Sequence, residues 1–222
     1  MPPAATRTGP RRVGRPKVEG LTERRREEIL DAATRVFAET GYAGTDLDVV
    51  ARAVGVAKGT IYRYFASKEA LFYAAVDRGM WQLRAALDAA MASTTAPVGR
   101  IEAALTAYLR FFDQRPAFVE LLILERAEFR DRDAPSYFTH REAAVLPWRK
   151  LVRQLVADGT FRAASPERVT DLVSDLLYGA LFTNHFRGKR ADVDAQVAEI
   201  KSLLLLGLLP RTEDGARRRG PR

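Results

Sequence analysis

The chain has 222 residues, of which 36 are Lys or Arg and 28 are Asp or Glu, giving a formal net charge of +8. This length allows one domain of moderate size, or a small domain joined to a larger one. The absence of cysteine excludes a disulfide framework, a thiolate nucleophile and a Cys-ligated metal site. The longest apolar stretch, residues 203–209, is far below the roughly 18 residues of a membrane span, and residues 1–20 lack the apolar segment of a secretion signal. We therefore expect a soluble cytoplasmic protein with no membrane partner.

The first predicted element is a basic arm, residues 1–22. Residues 1–26 hold eight Lys or Arg against two Glu, and such Pro-, Gly- and Arg-rich composition cannot bury enough apolar surface to fold alone. Residues 211–222 hold five Arg against two acidic residues and form a second basic tail, for which a merely solubilising role is the alternative. Residues 27–210 carry a net charge of −1, so the positive excess lies in the two tails.

The remainder of the chain is predicted to be all-helical. No segment alternates apolar and polar residues as a strand does, whereas several segments place apolar residues three and four apart. The first helix starts near Thr22 and ends at Gly41, a predicted left-handed cap. A short second helix starts at Thr45 or Asp46, and Thr45 with Asp48 forms a capping-box pattern.

Glycine and serine set the next boundaries. Gly55 ends the second helix after two turns, and a third short helix is expected at residues 58–65. Ser67 is the predicted cap of a fourth helix that runs toward residue 91. After a break at residues 93–99, the apolar spacing predicts helices at about 100–113, 116–130, 137–157, 165–186 and 192–209. Pro147 is expected to kink or split its helix.

Residues 46–65 have the form of a helix-turn-helix. Two short helices are joined through a glycine, and in such motifs the second helix enters the major groove of DNA. Residues 52–68 contain four basic residues and no acidic one, so positive charge is concentrated at this place. The alternative is a generic helical hairpin in which Tyr62 and Tyr64 only cover the core.

This region also resembles a known family. Between residues 23 and 83 the order and spacing of many positions are similar to those of the DNA-binding domain of TetR/AcrR (tetracycline-repressor) regulators. The matching runs are Ile29-Leu30-Asp31-Ala32-Ala33, Phe37-Ala38-Glu39-Thr40-Gly41-Tyr42, Val50-Ala51 and Gly55-Val56-Ala57-Lys58-Gly59-Thr60-Ile61-Tyr62-Arg63-Tyr64-Phe65-Ala66-Ser67-Lys68-Glu69-Ala70-Leu71. The resemblance implies a three-helix DNA-binding domain at residues 23–83, followed by a helical ligand-binding and dimerisation domain at residues 84–210. The second part matches in length and helicity only.

The resemblance also implies which residues contact double-stranded DNA. The recognition helix opens near base edges, its tyrosines contact phosphates or thymine methyl groups, and residues at the starts of the second and fourth helices contact the backbone. The candidates are Thr45, Lys58, Gly59, Thr60, Tyr62, Arg63, Tyr64 and Lys68. Two positions depart from the family pattern. Asp46 replaces a frequent Thr and would face phosphate unfavourably, and Ala57 replaces a frequent Ser, removing a helix cap worth about 1 kcal/mol.

The arm contains a tetrapeptide similar to minor-groove hooks, Gly14-Arg15-Pro16-Lys17. A flexible cationic arm just before a helix-turn-helix can reach the adjacent minor groove, so Arg15 and Lys17 are candidate DNA contacts. The alternative is a solvated tail that attracts DNA only at long range.

The last two predicted helices are the most apolar and suggest a homodimer. One face of a monomer cannot hide all of their leucines, and the two-fold symmetry of operators favours pairing with a second copy. The candidate interface residues are Val169, Leu172, Val173, Leu176, Leu177, Leu181, Val197, Ile200, Leu204 and Leu208.

Aromatic residues in the middle helices would line a pocket for a largely apolar effector if part of the bundle is hollow. The alternative for the aromatic residues is ordinary core packing, and for the acidic residues a solvated surface. The candidates are Tyr108, Phe112, Glu120, Glu125, Trp148, Tyr178 and Phe182.

We therefore expect a ligand-responsive transcriptional regulator that binds a palindromic operator as a dimer, foremost a repressor released by a small molecule. The sequence does not distinguish repressor from activator. An enzyme is disfavoured, because His140 and His185 are far apart and no phosphate-binding glycine loop or nucleophile motif is present. We expect no cofactor and no metal. A nonspecific architectural DNA-binding protein is the remaining alternative.

Overall fold

The computed structural model describes residues 20–188 and 192–208, and within these ranges the chain is entirely helical. Its helices are α1 (Leu21–Gly44), α2 (Leu47–Val54), α3 (Lys58–Tyr64), α4 (Lys68–Ala92), α5 (Pro97–Asp113), α6 (Pro116–Glu128), α7 (Ser136–Ala157), α8 (Pro166–Phe186) and α9 (Val193–Leu208). The expected all-helical fold is confirmed. The arm, including Arg15 and Lys17, and the C-terminal tail lie outside the described residues.

A glycine with positive φ interrupts α1, and another ends α2. Gly41 (φ 73°, ψ 167°) interrupts α1 where its left-handed cap was predicted, and Gly55 (φ 73°) ends α2. The predicted capping box is wrong. Asp46 caps α2, since its carboxylate accepts a hydrogen bond from the backbone N–H of Asp48 at 2.9 Å. The hydroxyl of Thr45 is occupied elsewhere, donating to the carbonyl of Gly41 at 2.7 Å.

The starts of α3 and α4 follow the sequence prediction. Ala57 precedes α3 and makes no side-chain cap, whereas Ser67 caps α4 by accepting a hydrogen bond from the N–H of Ala70 at 3.0 Å. Arg78 of α4 then fixes α4 to α1, because its guanidinium donates to Glu27 at 3.0 Å and Asp31 at 2.6 Å.

The second half of the chain also has the expected number of helices, with small shifts at their ends. α5 starts at Pro97, three residues earlier than predicted. Pro147 lies inside α7, which continues unbroken, so the predicted split does not occur. Pro147 and Ala143, whose carbonyl loses its partner, are both exposed, so water can satisfy that carbonyl.

α4 joins the two halves. Its N-terminal part packs on α1, and its C-terminal part packs on α5 and α7. The predicted boundary after residue 83 therefore lies inside a helix, and one apolar core extends from α1 to α9. No helix in the described ranges is long and apolar enough to cross a membrane.

Candidate nucleic-acid interface and ligand cavity

One side of α3 is buried in the core, and the opposite side, here called the presented side, is exposed to solvent. Ile61 is completely buried and Phe65, just after the helix, is nearly so. On the opposite side Gly59 and Arg63 are exposed, and 48% of the Tyr62 side chain is accessible. A hairpin in which Tyr62 only covers the core is therefore ruled out. Thr60 and Tyr64 flank this side and are half-buried.

Lys58, at the start of α3, is held by two carboxylates. Its ammonium group lies 3.0 Å from Asp46 Oδ1 and 3.0 Å from Asp48 Oδ2. The pKa of Lys58 is raised, mainly by its hydrogen bond to Asp48 and next by the one to Asp46. The pKa of Asp46 is lowered, mainly by the hydrogen bond from the backbone N–H of Asp48 and next by the one from Lys58. Asp46 therefore has a second role beyond capping α2: it positions the first cation of the recognition helix.

Two residues predicted to contact DNA make hydrogen bonds within the protein instead. Thr45 is buried, and its hydroxyl is shared with Thr40 and the carbonyl of Gly41. Lys68 donates to the carbonyls of Ala43 and Thr45 at 3.2 and 3.0 Å, and its ammonium lies 4.7 Å from the centre of the Tyr42 ring. In this structure the Thr45 side chain is not available to DNA, and Lys68 mainly fastens the end of α1 to the start of α4.

A cavity of about 190 Å³ lies between α4, α5, α7, α8 and α9. Most of its wall is apolar, with Leu83, Ile101, Leu105, Val145 and Val173 as examples. An engineered cavity of roughly 150 Å³ is enough to admit benzene. This cavity can therefore hold a compact ligand larger than one benzene ring.

The predicted pocket residues divide into three groups. Tyr108 and Trp148 line the cavity. Tyr178 and Phe182 instead line a separate open groove between α6 and α8, and Phe112 is buried in the core against Phe118. Placing these last three residues in the cavity was wrong, because helical spacing marks an apolar face without telling which helix covers it.

The two predicted carboxylates do not line the cavity either. Glu120 is on the surface of α6 and pairs with His185 at 2.6 Å. Glu125 is 2% exposed and receives hydrogen bonds from the Ser136 N–H, the Ser136 hydroxyl and Arg132, at 2.9, 2.8 and 2.7 Å. Its role is to fix the segment between α6 and α7.

The sequence prediction missed the polar part of the cavity wall. Tyr137, His140 and Arg141 of α7 belong to it, and the hydroxyls of Tyr137 and Tyr108 lie 2.7 Å apart. Burial raises the pKa of Tyr137 to about 12 and that of Tyr108 well above its usual value. The spacing of Tyr137 and Arg141, four residues apart on one helix, was the signal that could have found them.

The apolar residues of α8 lie on two sides of the helix, one facing the cavity and the other facing solvent. Val169, Val173 and Leu177 line the cavity, as does Leu204 of α9. Leu181, Val197 and Ile200 are buried within the protomer, so their assignment to a dimer surface was wrong. Leu172 and Leu176 are 68% and 40% exposed. The side chain of Leu208 lies outside the described residues.

Comparisons with known proteins agree with this architecture. The family model described as "Bacterial regulatory proteins, tetR family" matches residues 29–75. The HTH-type transcriptional regulator YhgD of Bacillus subtilis (strain 168) is 30% identical over 158 residues, covering 71% of this chain and 82% of YhgD. The chain belongs to the TetR family.

Two more distant regulators match over nearly their full length. The transcriptional repressor DhaR of Mycobacterium sp. (strain GP1) is 22% identical, covering 85% of this chain and 94% of DhaR. The structure of the fatty acid degradation regulator FadR from Bacillus halodurans has a TM-score of 0.71 at 21% identity, covering 82% of this chain and 94% of FadR. Other curated relatives match over about half of their own length. The protein is a DNA-binding transcriptional regulator.

In this TetR-family regulator two contacts fasten the helical bundle to the DNA-binding domain. Phe129, just after α6, packs among the rings of Tyr42, Phe72 and Tyr73, with centroid distances of 4.8, 5.4 and 4.9 Å. Phe118 of α6 lies directly on Gly79 of α4, where an added Cβ would come within 2.1 Å of the ring. Through these contacts α6 touches α4 directly, and the residue after α6 reaches the end of α1 at Tyr42.

Proposed function

We propose that the protein binds a palindromic operator as a homodimer, represses transcription there, and is released by a largely apolar small molecule. The observation that carries this proposal is the position of α4: its N-terminal half belongs to the DNA-binding core, and its C-terminal half forms one wall of the cavity. A ligand that prefers one arrangement of α4 can change the DNA affinity by at most the difference in its own binding free energy between the two arrangements.

The presented side of α3 supports sequence-specific binding. Gly59, Tyr62 and Arg63 are accessible, and Lys58 and Thr60 stand at the start of the helix, which is the end that approaches base edges in helix-turn-helix proteins. Among the described residues Arg52 and Arg63 have no carboxylate within ion-pair distance, so their charge is available to phosphate or guanine.

The exposed side of α8 supports the homodimer. Leu172, Leu176, Gly179, Thr183 and Phe186 follow one another around a single face of the helix, and each is exposed. Leu203 and Leu206 of α9 are exposed as well. Apolar side chains in this number indicate a contact surface, and a dimer would present two α3 helices to successive major grooves about 34 Å apart.

For the arm we propose that Arg15 and Lys17 enter the minor groove beside the operator. Their support is their position in a cationic segment just before α1. Deleting residues 1–20 is expected to weaken binding to all DNA sequences and to reduce the slope of log K against log salt. An unchanged slope in the truncated protein would contradict a contact of the arm with DNA.

The operator test is selection of bound DNA from a random pool with the full chain. A single palindromic consensus is expected, and fluorescence anisotropy at one fixed salt concentration should give at least 1,000-fold preference, roughly the lower end for specific binding proteins, over a scrambled sequence. In vitro transcription from a promoter carrying the consensus should fall when the protein is added. A nonspecific architectural protein would enrich no sequence, and an activator would raise transcription.

A further inference from the structure

The polar end of the cavity is built around two tyrosines on different helices. Tyr108 of α5 and Tyr137 of α7 are both more than nine-tenths buried, both belong to the cavity wall, and their hydroxyl oxygens are 2.7 Å apart. Two hydroxyl groups carry two protons, and the bond between them uses one. No acceptor among the described residues lies within hydrogen-bond distance of the second proton. A buried donor without an acceptor is unfavourable, so the pair is suited to a ligand that supplies one.

The charges around the cavity indicate whether that ligand is neutral or anionic. Each cation of the wall already has an acidic partner: Arg84 pairs with Asp88, Lys201 with Glu102, and Arg141 with both Asp171 and Asp175. His140 is hydrogen-bonded to Asp77 at 3.1 Å. A carboxylate brought into an apolar cavity needs a cation of its own to offset its desolvation. The wall offers no such cation, whereas a neutral carbonyl oxygen needs only the hydroxyl proton.

We propose that the effector is a compact, neutral, mainly apolar molecule bearing a carbonyl oxygen, a ketone, ester or lactone, which accepts the hydrogen bond that the Tyr108–Tyr137 pair leaves free. This inference rests on the proposed effector-responsive function and names the chemistry of its ligand. Because burial keeps the pKa of both hydroxyls above 10, they remain neutral donors throughout the physiological pH range.

The protein carries its own probe for the test. The chain has two tryptophans, Trp81 and Trp148, and both belong to the cavity wall, so ligand entry is measurable by tryptophan fluorescence without DNA. Three ligands share one bicyclic body: tetralin, which has no polar group, α-tetralone, which adds a carbonyl, and the tetralin carboxylate anion. The full chain is expected to bind α-tetralone roughly three- to tenfold more tightly than tetralin, the net effect of one hydrogen bond, and the anion more weakly than the ketone.

Substitutions test whether the preference for the ketone over tetralin comes from the Tyr108–Tyr137 pair. Tyr108→Phe and Tyr137→Phe each leave one hydroxyl with a free proton, so each single variant should keep the preference for the ketone. The double variant Tyr108→Phe/Tyr137→Phe should bind ketone and tetralin within about twofold of each other, because no donor remains. Tyr178→Phe, which removes a hydroxyl from the neighbouring ring outside the cavity wall, is the matched control and should behave as the unmodified protein.

Equal binding of tetralin and ketone by the unmodified protein, tighter binding of the anion, a preference that survives in the double variant, or no binding of any of the three would each overturn the proposal. These results are separable from the proposed function. Failure to select an operator leaves the ligand preference intact, and a lost ligand preference leaves operator binding intact.

Discussion

The DNA-binding unit and the helical bundle differ in how completely their cores are packed. Around α1, side chains such as Ile29, Leu30, Phe37 and Phe72 are completely buried, and the proposed DNA contacts lie outside on α3. In the bundle the proposed ligand contacts lie inside, and the core retains a cavity of about 190 Å³. Because unfilled volume in a core lowers stability, the bundle is packed less favourably around the cavity than the first region is around α1. The DNA-binding unit thus has a filled core, whereas the core of the helical bundle contains a cavity.

The bundle's outward face should be the point at which DNA binding is most easily lost. Leu172→Glu/Leu176→Glu places two charges on the exposed side of α8 and should convert a dimer into monomers, measured by sedimentation velocity. Operator affinity should fall by about 100-fold or more, since two half-sites are no longer bound together. Leu146→Glu, at an exposed leucine of α7, is the control. A double variant that stays dimeric would show that α8 does not form the interface.

Enlarging an alanine in each region tests the packing difference directly. Ala33 is fully buried in α1, so Ala33→Leu should lower the free energy of unfolding by about 1–3 kcal/mol. Ala104 lines the cavity, so Ala104→Leu should change it by less than about 1 kcal/mol while weakening binding of α-tetralone. Urea unfolding measures both changes. Equal destabilisation by the two substitutions would mean that the cavity is not free space.

Removal of an exposed cation from the recognition helix should affect DNA alone. Arg63→Ala is expected to weaken operator binding about tenfold, or about 1.4 kcal/mol, with no change in unfolding, because Arg63 supports no buried contact. Lys150→Ala removes the same charge from the exposed surface of α7, away from the proposed dimer contact, and should leave operator affinity unchanged. Similar losses in both variants would indicate a general charge effect in place of a local contact.

The smallest effect is expected at the carboxylates that hold Lys58. The pKa of Asp46 is lowered from a value that is already acidic, so protonation does not break its ion pair with Lys58 at neutral pH, and substitution of the carboxylates releases Lys58 directly. Asp46→Asn/Asp48→Asn retains the cap of α2, since Asn caps as well as Asp, and frees the ammonium. Operator affinity should rise by about threefold and the salt slope should steepen by about one. The same two charges removed elsewhere, in Asp88→Asn/Glu142→Gln, should have less effect.

The sequence predicts well those features that depend on residues close together in the chain. Gly41, Gly55 and Ser67 act within a few residues of themselves, and they place the first four helices almost to the residue. The exposed side of α3 follows from the same short-range pattern. The error at Thr45 is also local: either of two adjacent residues could have capped α2, and the hydroxyl of Thr45 is instead bonded to Thr40 and Gly41, five and four residues earlier.

The cavity and the contact surface of the bundle depend on which helix covers which, and helical spacing does not contain that information. Val173 and Leu172 are neighbours in one apolar stripe, yet the first lines the cavity and the second is exposed. Glu125 was taken for a ligand contact because a buried carboxylate and a surface carboxylate look alike in sequence. Its hydrogen bonds to Ser136 and Arg132 exist only once α6 and α7 are folded together.

The contact between Gly79 and Phe118 depends on the absence of a side chain on α4. Because the ring lies against the backbone at Gly79, a methyl group at this position would force α4 and α6 apart. Lys68 lies eleven residues to one side of Gly79 and Leu87 eight residues to the other, distances of about 16 and 12 Å along the helix. A tilt of α4 about this contact would therefore move its two ends in opposite directions, by roughly 1.4 Å at Lys68 for each 1 Å at Leu87.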